Sequence, residues 1–283
     1  MGAVLVTGCS SGIGRACAIE LAQAGFKTFA GVRTEGDGLS LRSNSVPGLV
    51  PVQLDVRDPG SIEQVVSRLT REVDDTGFFG LVNNAGVSAS GPVEFLDIAE
   101  IQEVLNVNLL GPVRLVQAFL PMLRQSAGRI INIGSGEAFL STPINSAYCM
   151  SKYALEALSE SLRMELAPMG IRVILVEPGG TKTRIMEKVA ARFETLGESL
   201  PSTARRLYGK SMEARRRMPE RGHLQAPEAV ARVVRRALAD SRPKTRYFVG
   251  ADVRGAFMLG RLFPSSARDA ILRVLFGFPG AVR

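Results

Sequence analysis

Ser135, Tyr148 and Lys152 are the residues whose types and spacing could do chemistry in this chain. Tyr148 and Lys152 stand four apart in Ser146-Ala147-Tyr148-Cys149-Met150-Ser151-Lys152, so on a helix they share one face and the ammonium can lie near the phenol. A free tyrosine titrates near pH ~10, and a neighbouring positive charge is expected to lower that value toward working pH, where proton transfer is efficient. Tyr148 would then protonate a carbonyl oxygen, and Ser135, at the end of the apolar run Arg129-Ile130-Ile131-Asn132-Ile133-Gly134, would hydrogen-bond the same oxygen. This is carbonyl/alcohol redox chemistry. Taken alone, the pair is equally an ordinary half-buried tyrosine with a solvated lysine beside it, so the elements around it must decide.

Those elements alternate between strand and helix. Ala3-Val4-Leu5-Val6-Thr7 is a short apolar strand, followed by Gly8-Cys9-Ser10-Ser11-Gly12-Ile13-Gly14 and a helical stretch from Arg15 to Ala24. A buried strand, a glycine turn and a helix N-terminus in that order build a phosphate site from backbone N–H groups and the helix dipole. Lys27 to Arg33 reads as the second strand. At its end an NAD-preferring fold carries an acid for the ribose 2′-hydroxyl, whereas Val32 stands there and Arg33 follows, which favours NADP with Arg33 clamping the 2′-phosphate. Val50 to Val56 is the third strand, with Asp55 placed either to accept from an adenine amino group or to cap the next helix, which starts at Asp58-Pro59.

Gly80 to Gly86 forms a fourth strand running into a polar turn. Asn83 and Asn84 can bond neighbouring strands, while Ala85 and Gly86 permit close approach of a flat ring. The next helix carries Asn108 on its apolar face, as a structural bridge or part of a polar relay, and Pro112 is expected to kink it. After the Tyr148 helix, strand Ile171–Glu177 ends in Pro178-Gly179-Gly180-Thr181-Lys182-Thr183, a turn suited to a nicotinamide carboxamide and a phosphate. The alternation predicts an α/β fold: one doubly wound parallel sheet of the Rossmann type, with its site at the carboxyl ends of the strands.

Composition narrows the class. A chain of 283 residues with 46% hydrophobic content can bury one large core. No apolar run in the sequence reaches the ~18 residues of a membrane span, and the first strand begins by Val4, so a cytoplasmic protein without a signal peptide is expected. Cys9, Cys17 and Cys149 lack metal-ligand spacing and His223 has no suggested triad partners, which argues against disulfides, a metal site and serine-hydrolase chemistry. Residues 1–181 carry 13 basic against 18 acidic side chains, and residues 182–283 carry 22 against 9. Without a stacking platform or recognition motif, this basic third does not read as nucleic-acid binding. An anionic cofactor, lipid surface or acidic substrate group suits it better.

Together these residues resemble the short-chain dehydrogenase/reductase family over most of residues 3–250. The resemblance rests on Thr7-Gly8-x-x-x-Gly12-x-Gly14, Asn83-Asn84-Ala85-Gly86, Asn108, Ser135, Tyr148-x-x-x-Lys152 and Pro178-Gly179-x-x-x-Thr183. It implies a catalytic tetrad of Asn108, Ser135, Tyr148 and Lys152. Tyr148 would act as acid or base, Ser135 would orient the oxygen, Lys152 would lower the tyrosine pKa and hold the ribose, and Asn108 would anchor a water-linked relay. The cofactor would lie along Gly8, Ser10, Ser11, Gly12, Ile13, Gly14, Arg33, Asp55, Val56, Asn83, Ala85, Gly86, Tyr148, Lys152, Pro178, Gly179, Thr181 and Thr183. Within the family the chain is similar to the 17β-hydroxysteroid and retinol dehydrogenase branch, which handles lipophilic alcohols and ketones, although Gly134-Ser135-Gly136-Glu137 places an acid near the pocket.

The resemblance also implies a substrate lid at about 184–222, on a catalytic domain spanning 1–250, and pairing through the helices bearing Asn108 and Tyr148 as a homodimer. Residues 251–283 are an apolar, arginine-punctuated extension expected to pack on the domain, a neighbouring subunit or a membrane surface. The expected function is NADP(H)-dependent interconversion of a lipophilic ketone or aldehyde and its alcohol. A non-catalytic NADP-binding sensor or scaffold, and NAD-dependent alcohol oxidation, are the alternatives.

Overall fold

The structure, a computed structural model, describes residues 2–43, 45–73, 77–217, 224–278 and 280, without the side chains of 197–199. His223 and the last residues of the expected lid segment lie outside the described residues. Seven parallel strands form one sheet: β1 Ala3–Val6, β2 Lys27–Val32, β3 Leu49–Gln53, β4 Phe78–Asn83, β5 Arg129–Ile133, β6 Arg172–Pro178 and β7 Arg246–Val249, in the order β3-β2-β1-β4-β5-β6-β7. The chain order reverses between β1 and β4, and there the crevice opens at the strands' carboxyl ends.

Both faces of the sheet are covered, which is why β1 and β5 are buried along their whole length rather than at alternate residues. Val4, Val6, Ile131 and Ile174 meet α1 (Gly12–Gln23) and α9 (Pro227–Ala239), and Leu5, Phe29, Ile130 and Val173 belong to the opposite core with α3 (Pro59–Glu72) and α5 (Gly111–Ser126). The second strand pair is completed by the short helix α2 (Glu35–Arg42). Asp58 caps α3 by accepting from Gly60 N at 2.9 Å, so the cap falls there and not at Asp55.

Two expectations about the Asn108 helix change. Helix α4 (Ile98–Leu105) runs into α5 through a π-turn at Asn106–Leu110, so the irregularity lies before Pro112 and not at it. The continuous helix Ile98–Ser126 is long and apolar enough to cross a membrane by length and composition, contrary to the reading that no such run exists. Its inner face, Leu115, Val116, Phe119 and Leu123, packs in the core and Phe119 meets Phe78 at 5.1 Å between ring centroids.

Helix α6 (Ser146–Leu166) carries Tyr148 and Lys152. Two helices after β6, α7 (Arg184–Ser199) and α8 (Ser202–Arg216), bury Phe193, Leu196 and Met212 against Ile144, while Leu207 is exposed. The chain ends in α10 (Ala251–Leu262) and α11 (Ser265–Phe276).

Candidate active site

Thr7 sews the two central strands together at the crevice. Its hydroxyl accepts from Asn84 N at 3.0 Å and Ala85 N at 2.9 Å, and Asn84 Nδ2 donates back to Thr7 O at 2.8 Å. Gly8 follows with φ +69°, and a Cβ there would lie 2.8 Å from Ala85 Cα, so turn and strand end meet as bare backbone. Beyond it, the N-termini of α1 and α7 abut: a Cβ on Gly12 would stand 3.1 Å from Thr183 Cγ2. Neither Ser11 nor Thr183, their N-caps, makes a side-chain cap bond. Two sets of N–H groups are thus directed at one place, a fit for the phosphates of a dinucleotide.

From this cradle a cavity of about 840 Å³ extends over the sheet. Arg33, Asp37, Asp55 and Arg57 line one end and Ser135, Tyr148 and Lys152 the other, with Ala85, Gly86, Ile133, Gly134 and the turn Pro178–Thr181 between. The residues present therefore fit an elongated dinucleotide with its redox-active ring beside Tyr148.

Ser135 leaves β5 in extended conformation, and its hydroxyl accepts from Glu137 N at 3.2 Å and is hydrogen-bonded to the Tyr148 phenol. Lys152 is buried, donates to Ile133 O at 2.7 Å and holds its ammonium 5.6 Å from the Tyr148 ring centroid. Burial drives Lys152 down to about 8 from its ordinary 10.5, and the Glu177 charge opposes this. Tyr148 moves the other way from expectation: burial and the nearby Glu137 carboxylate raise its pKa, with the Ser135 hydrogen bond and Arg215 working to lower it. The phenol is therefore protonated in the free protein, and Lys152 is the group poised near neutrality.

Asn108 is held by the π-turn, but its side chain faces Val87 and Ser151. Oδ1 accepts from Val87 N at 2.8 Å, and Nδ2 donates to Val87 O at 2.9 Å and Ser151 Oγ at 3.0 Å. Both amide hydrogens are committed, so the side chain bridges the β4 loop to α6 and does not line the cavity.

Asn83 is also absent from the lining: it is buried and donates to Asn132 Oδ1 at 2.8 Å, while its neighbour Asn84 takes the place at the crevice. Gly14 acts through packing, since a Cβ there would fall 2.3 Å from Gly8 O. Asp55 lies at the cavity edge with its carboxylate held by Arg57, whose guanidinium reaches Glu103 at 2.7 Å. The Arg57 hydrogen bond is the chief reason that the Asp55 pKa is lowered. The other expected cofactor residues, Gly8, Ser10, Ser11, Gly12, Ile13, Arg33, Val56, Ala85, Gly86, Pro178, Gly179, Thr181 and Thr183, all line the cavity.

Apart from Glu137, which Gly134-Ser135-Gly136-Glu137 already marks, several lining residues carry no local signal in the sequence. Glu137 accepts from Thr142 Oγ1 and Asn145 Nδ2, each at 2.7 Å, and pairs with Arg215 of α8 at 3.1 Å. Arg192 of α7 donates to Ser90 O at 2.6 Å and pairs with Glu100. Asp252 of α10 accepts from Gly180 N at 2.8 Å, and Val253, Ala256 and Phe276 bring the C-terminal helices to the wall. The bonds of Asp252 to Gly180 and of Arg192 to Ser90 join residues 72 and 102 apart in sequence, beyond what a local pattern can reveal.

A doubly wound parallel sheet with a phosphate cradle at its switch point, and a Ser–Tyr–Lys group at the ring end of the cavity, defines a dinucleotide-linked oxidoreductase. The family described as short chain dehydrogenase matches residues 2–193, and the chain belongs to it. It is 35% identical over 277 residues to Retinol dehydrogenase 5 of Mus musculus, covering 95% of this chain and 87% of that one. Against mitochondrial D-beta-hydroxybutyrate dehydrogenase of Rattus norvegicus it is 39% identical over 218 residues, 74% of this chain and 64% of the other. A short chain dehydrogenase from Burkholderia cenocepacia J2315, solved in complex with NADP, superposes with a TM-score of 0.72 at 25% identity, covering 98% of each chain.

Proposed function

We propose that this oxidoreductase uses NADP(H) to interconvert a lipophilic ketone or aldehyde and its alcohol, with Tyr148 as general acid/base. The observation that carries the proposal is the meeting of the Ser135 hydroxyl and the Tyr148 phenol over buried Lys152 at one end of the cavity. Gly8, Gly12, Thr181 and Thr183 would hold the phosphates, Lys152 the ribose, and Pro178 to Thr181 the carboxamide. When bound, the nicotinamide supplies or accepts the hydride. Ser135 orients the substrate oxygen, and Tyr148 Oη gives it a proton in reduction or removes one in oxidation. In reduction the protonated phenol has the proton to give. Asn108 takes part as the anchor of the β4 loop, and any relay runs past its committed side chain.

Arg33 supports NADP, since a guanidinium at the end of β2 matches a 2′-phosphate, and the NADP-bound Burkholderia structure agrees with it. The lipophilic substrate rests on Leu140, Ile185, Met186, Val189, Leu224 and Phe276 in the cavity wall and on the retinol dehydrogenase relatives. We take α7 and α8 as the lid and α10–α11 as a cover of the same pocket, on a single catalytic domain. Exposed Leu110, Met150, Tyr153 and Met164 on the Asn108 and Tyr148 helices support a homodimer. A peripheral contact with an anionic membrane is favoured by exposed Met258, Leu262, Phe263, Val274 and Leu275 among the arginines of α10 and α11.

Fluorescence titration with NADPH and NADH, followed by a panel of long-chain ketones and aldehydes, tests the assignment. The expected result is tighter NADPH binding, weakened about tenfold or more by Arg33→Ala with NADH binding little changed. NADH preference in the wild type would overturn the NADP assignment and move the reading to alcohol oxidation, and binding without turnover would favour a sensor.

A further inference from the structure

Glu177, the penultimate residue of β6, is fully buried at the catalytic end of the sheet. Its Oε2 accepts from Ser135 N at 2.7 Å and its Oε1 from Arg246 Nη1 at 2.9 Å. The chain makes room for it: a Cβ at Gly134 would fall 2.0 Å from Glu177 Oε2, so only glycine there lets the carboxylate lie against the Ser135 turn. Arg246, from β7, donates onward to Glu156 on α6, at 2.9 Å through Nη1 and again through Nη2. Glu156 is one turn beyond Lys152. The guanidinium lies against the Phe139–Phe257 ring pair, 5.2 and 5.7 Å from their centroids. Glu160 of α6 and Arg261 of α10 close the outer edge, 3.7 Å from each other.

Burying two carboxylates about one guanidinium is an expensive way to stabilise a fold, because apolar residues of similar volume generally do as well. The placement has a different product. It joins the main chain at Ser135, the α6 turn that carries Lys152, and the C-terminal helix α10 through one cation. We propose that Glu177 and Arg246 are positioning residues for the reaction: Glu177 fixes the Ser135 turn and sets the charge beside Lys152, and Arg246 holds the Glu177 carboxylate in place. The inference rests on the reading of Ser135, Tyr148 and Lys152 as the reacting group.

The groups facing Glu177 are Glu156 and Lys152 from α6, Arg246 from β7 and the Ser135 N–H. Burial and the Glu156 carboxylate push Glu177 up to about 8, with Arg246 and the Ser135 N–H opposing them and favouring its ionised form. Its charge in turn opposes the burial that pushes Lys152 down. The signs are therefore fixed. Loss of Glu177 or Arg246 removes the anion and releases Lys152's proton at lower pH. Loss of Glu156 lets Glu177 ionise more readily and retains that proton to higher pH.

The test is lysine-selective NMR titration of Lys152 in the ligand-free protein, beside NADPH affinity and the pH profile of carbonyl reduction. Glu177→Gln and Arg246→Met should each lower the Lys152 midpoint by about one pH unit and move the alkaline limb of the rate profile equally, with NADPH affinity nearly unchanged. Glu156→Gln should shift both upward, and Arg246→Lys should restore most of the Arg246→Met loss. A lowered melting temperature with an unmoved midpoint, or the same direction of shift for Glu156→Gln and Glu177→Gln, would overturn the inference. Failure of the wild type to reduce any carbonyl would instead defeat the catalytic reading, while the NMR midpoints would still decide the link between Glu177 and Lys152.

Discussion

Lys152 and Tyr148 show how far residue types alone can go. Four-residue spacing on a helix predicts that they are neighbours, and Lys152 stands over the Tyr148 ring; it does not predict that burial outweighs that proximity in setting the phenol's acidity. The carboxylate of Glu137 and the enclosure of the phenol come from chain segments whose approach depends on the whole fold. Lys152 then fixes the pH dependence. Its ammonium is present below about 8 and lost above, and the phenol is protonated throughout that range, so kcat/KM for reduction should hold on the neutral side. It should fall about tenfold per unit as pH rises past that value. A profile that falls toward acid through neutrality would contradict this. The same lowered value has a stability consequence of opposite sense. Between about 8 and its ordinary 10.5 the folded protein has released this proton while the unfolded chain retains it, so Lys152's contribution to stability rises with pH. Urea midpoints of the wild type and Lys152→Met should converge as pH is raised through that window.

At the scale of elements, the βα units were legible because each carries its own punctuation. A buried apolar run followed by Gly8, Gly12 and Gly14 can only be a strand turning into a helix at close quarters, and β1 and α1 form there. Gly14→Ala tests the closeness: a Cβ 2.3 Å from Gly8 O must push the turn away from Asn84 and should cost about 2 kcal/mol or more in denaturant midpoint, with weaker NADPH binding. Unchanged stability would mean that the turn is more yielding than its packing indicates. Adjacent asparagines were harder to separate. Asn83 and Asn84 point to opposite sides of the strand, so one pairs with Asn132 in the interior while the other reaches Thr7 and Gly8 at the crevice, and the dipeptide alone does not say which. The π-turn at Asn106–Leu110 was hidden for a different reason: Pro112 is the local irregularity that a sequence displays, whereas the widened turn arises where the helix must bring Asn108 onto Val87 and Ser151.

For the whole molecule, the uneven charge acquires a structural use. Arginines of the basic C-terminal third reach back to acids of the first two thirds: Arg192 to Glu100, Arg215 to Glu137, Arg235 to Glu20 and Arg246 to Glu156 and Glu177. Composition could show the imbalance, but only the closed fold shows that much of it holds α7, α8, α9 and β7 on the body. The exposed face of α6 carries the next prediction. Met150, Tyr153 and Met164 are accessible and apolar, so Met150→Glu with Tyr153→Glu should convert a dimer to a monomer in light scattering, with the melting temperature lowered. A wild type that is already monomeric would remove the homodimer.

The central claim is that Tyr148 moves the proton while the cradle independently holds the dinucleotide. Tyr148→Phe, measured for NADPH binding and for carbonyl reduction in the same preparation, tests it most directly. NADPH affinity should stay within about twofold of wild type while kcat falls by roughly 10² to 10⁴. Turnover that survives the loss of the hydroxyl, with binding intact, would contradict it.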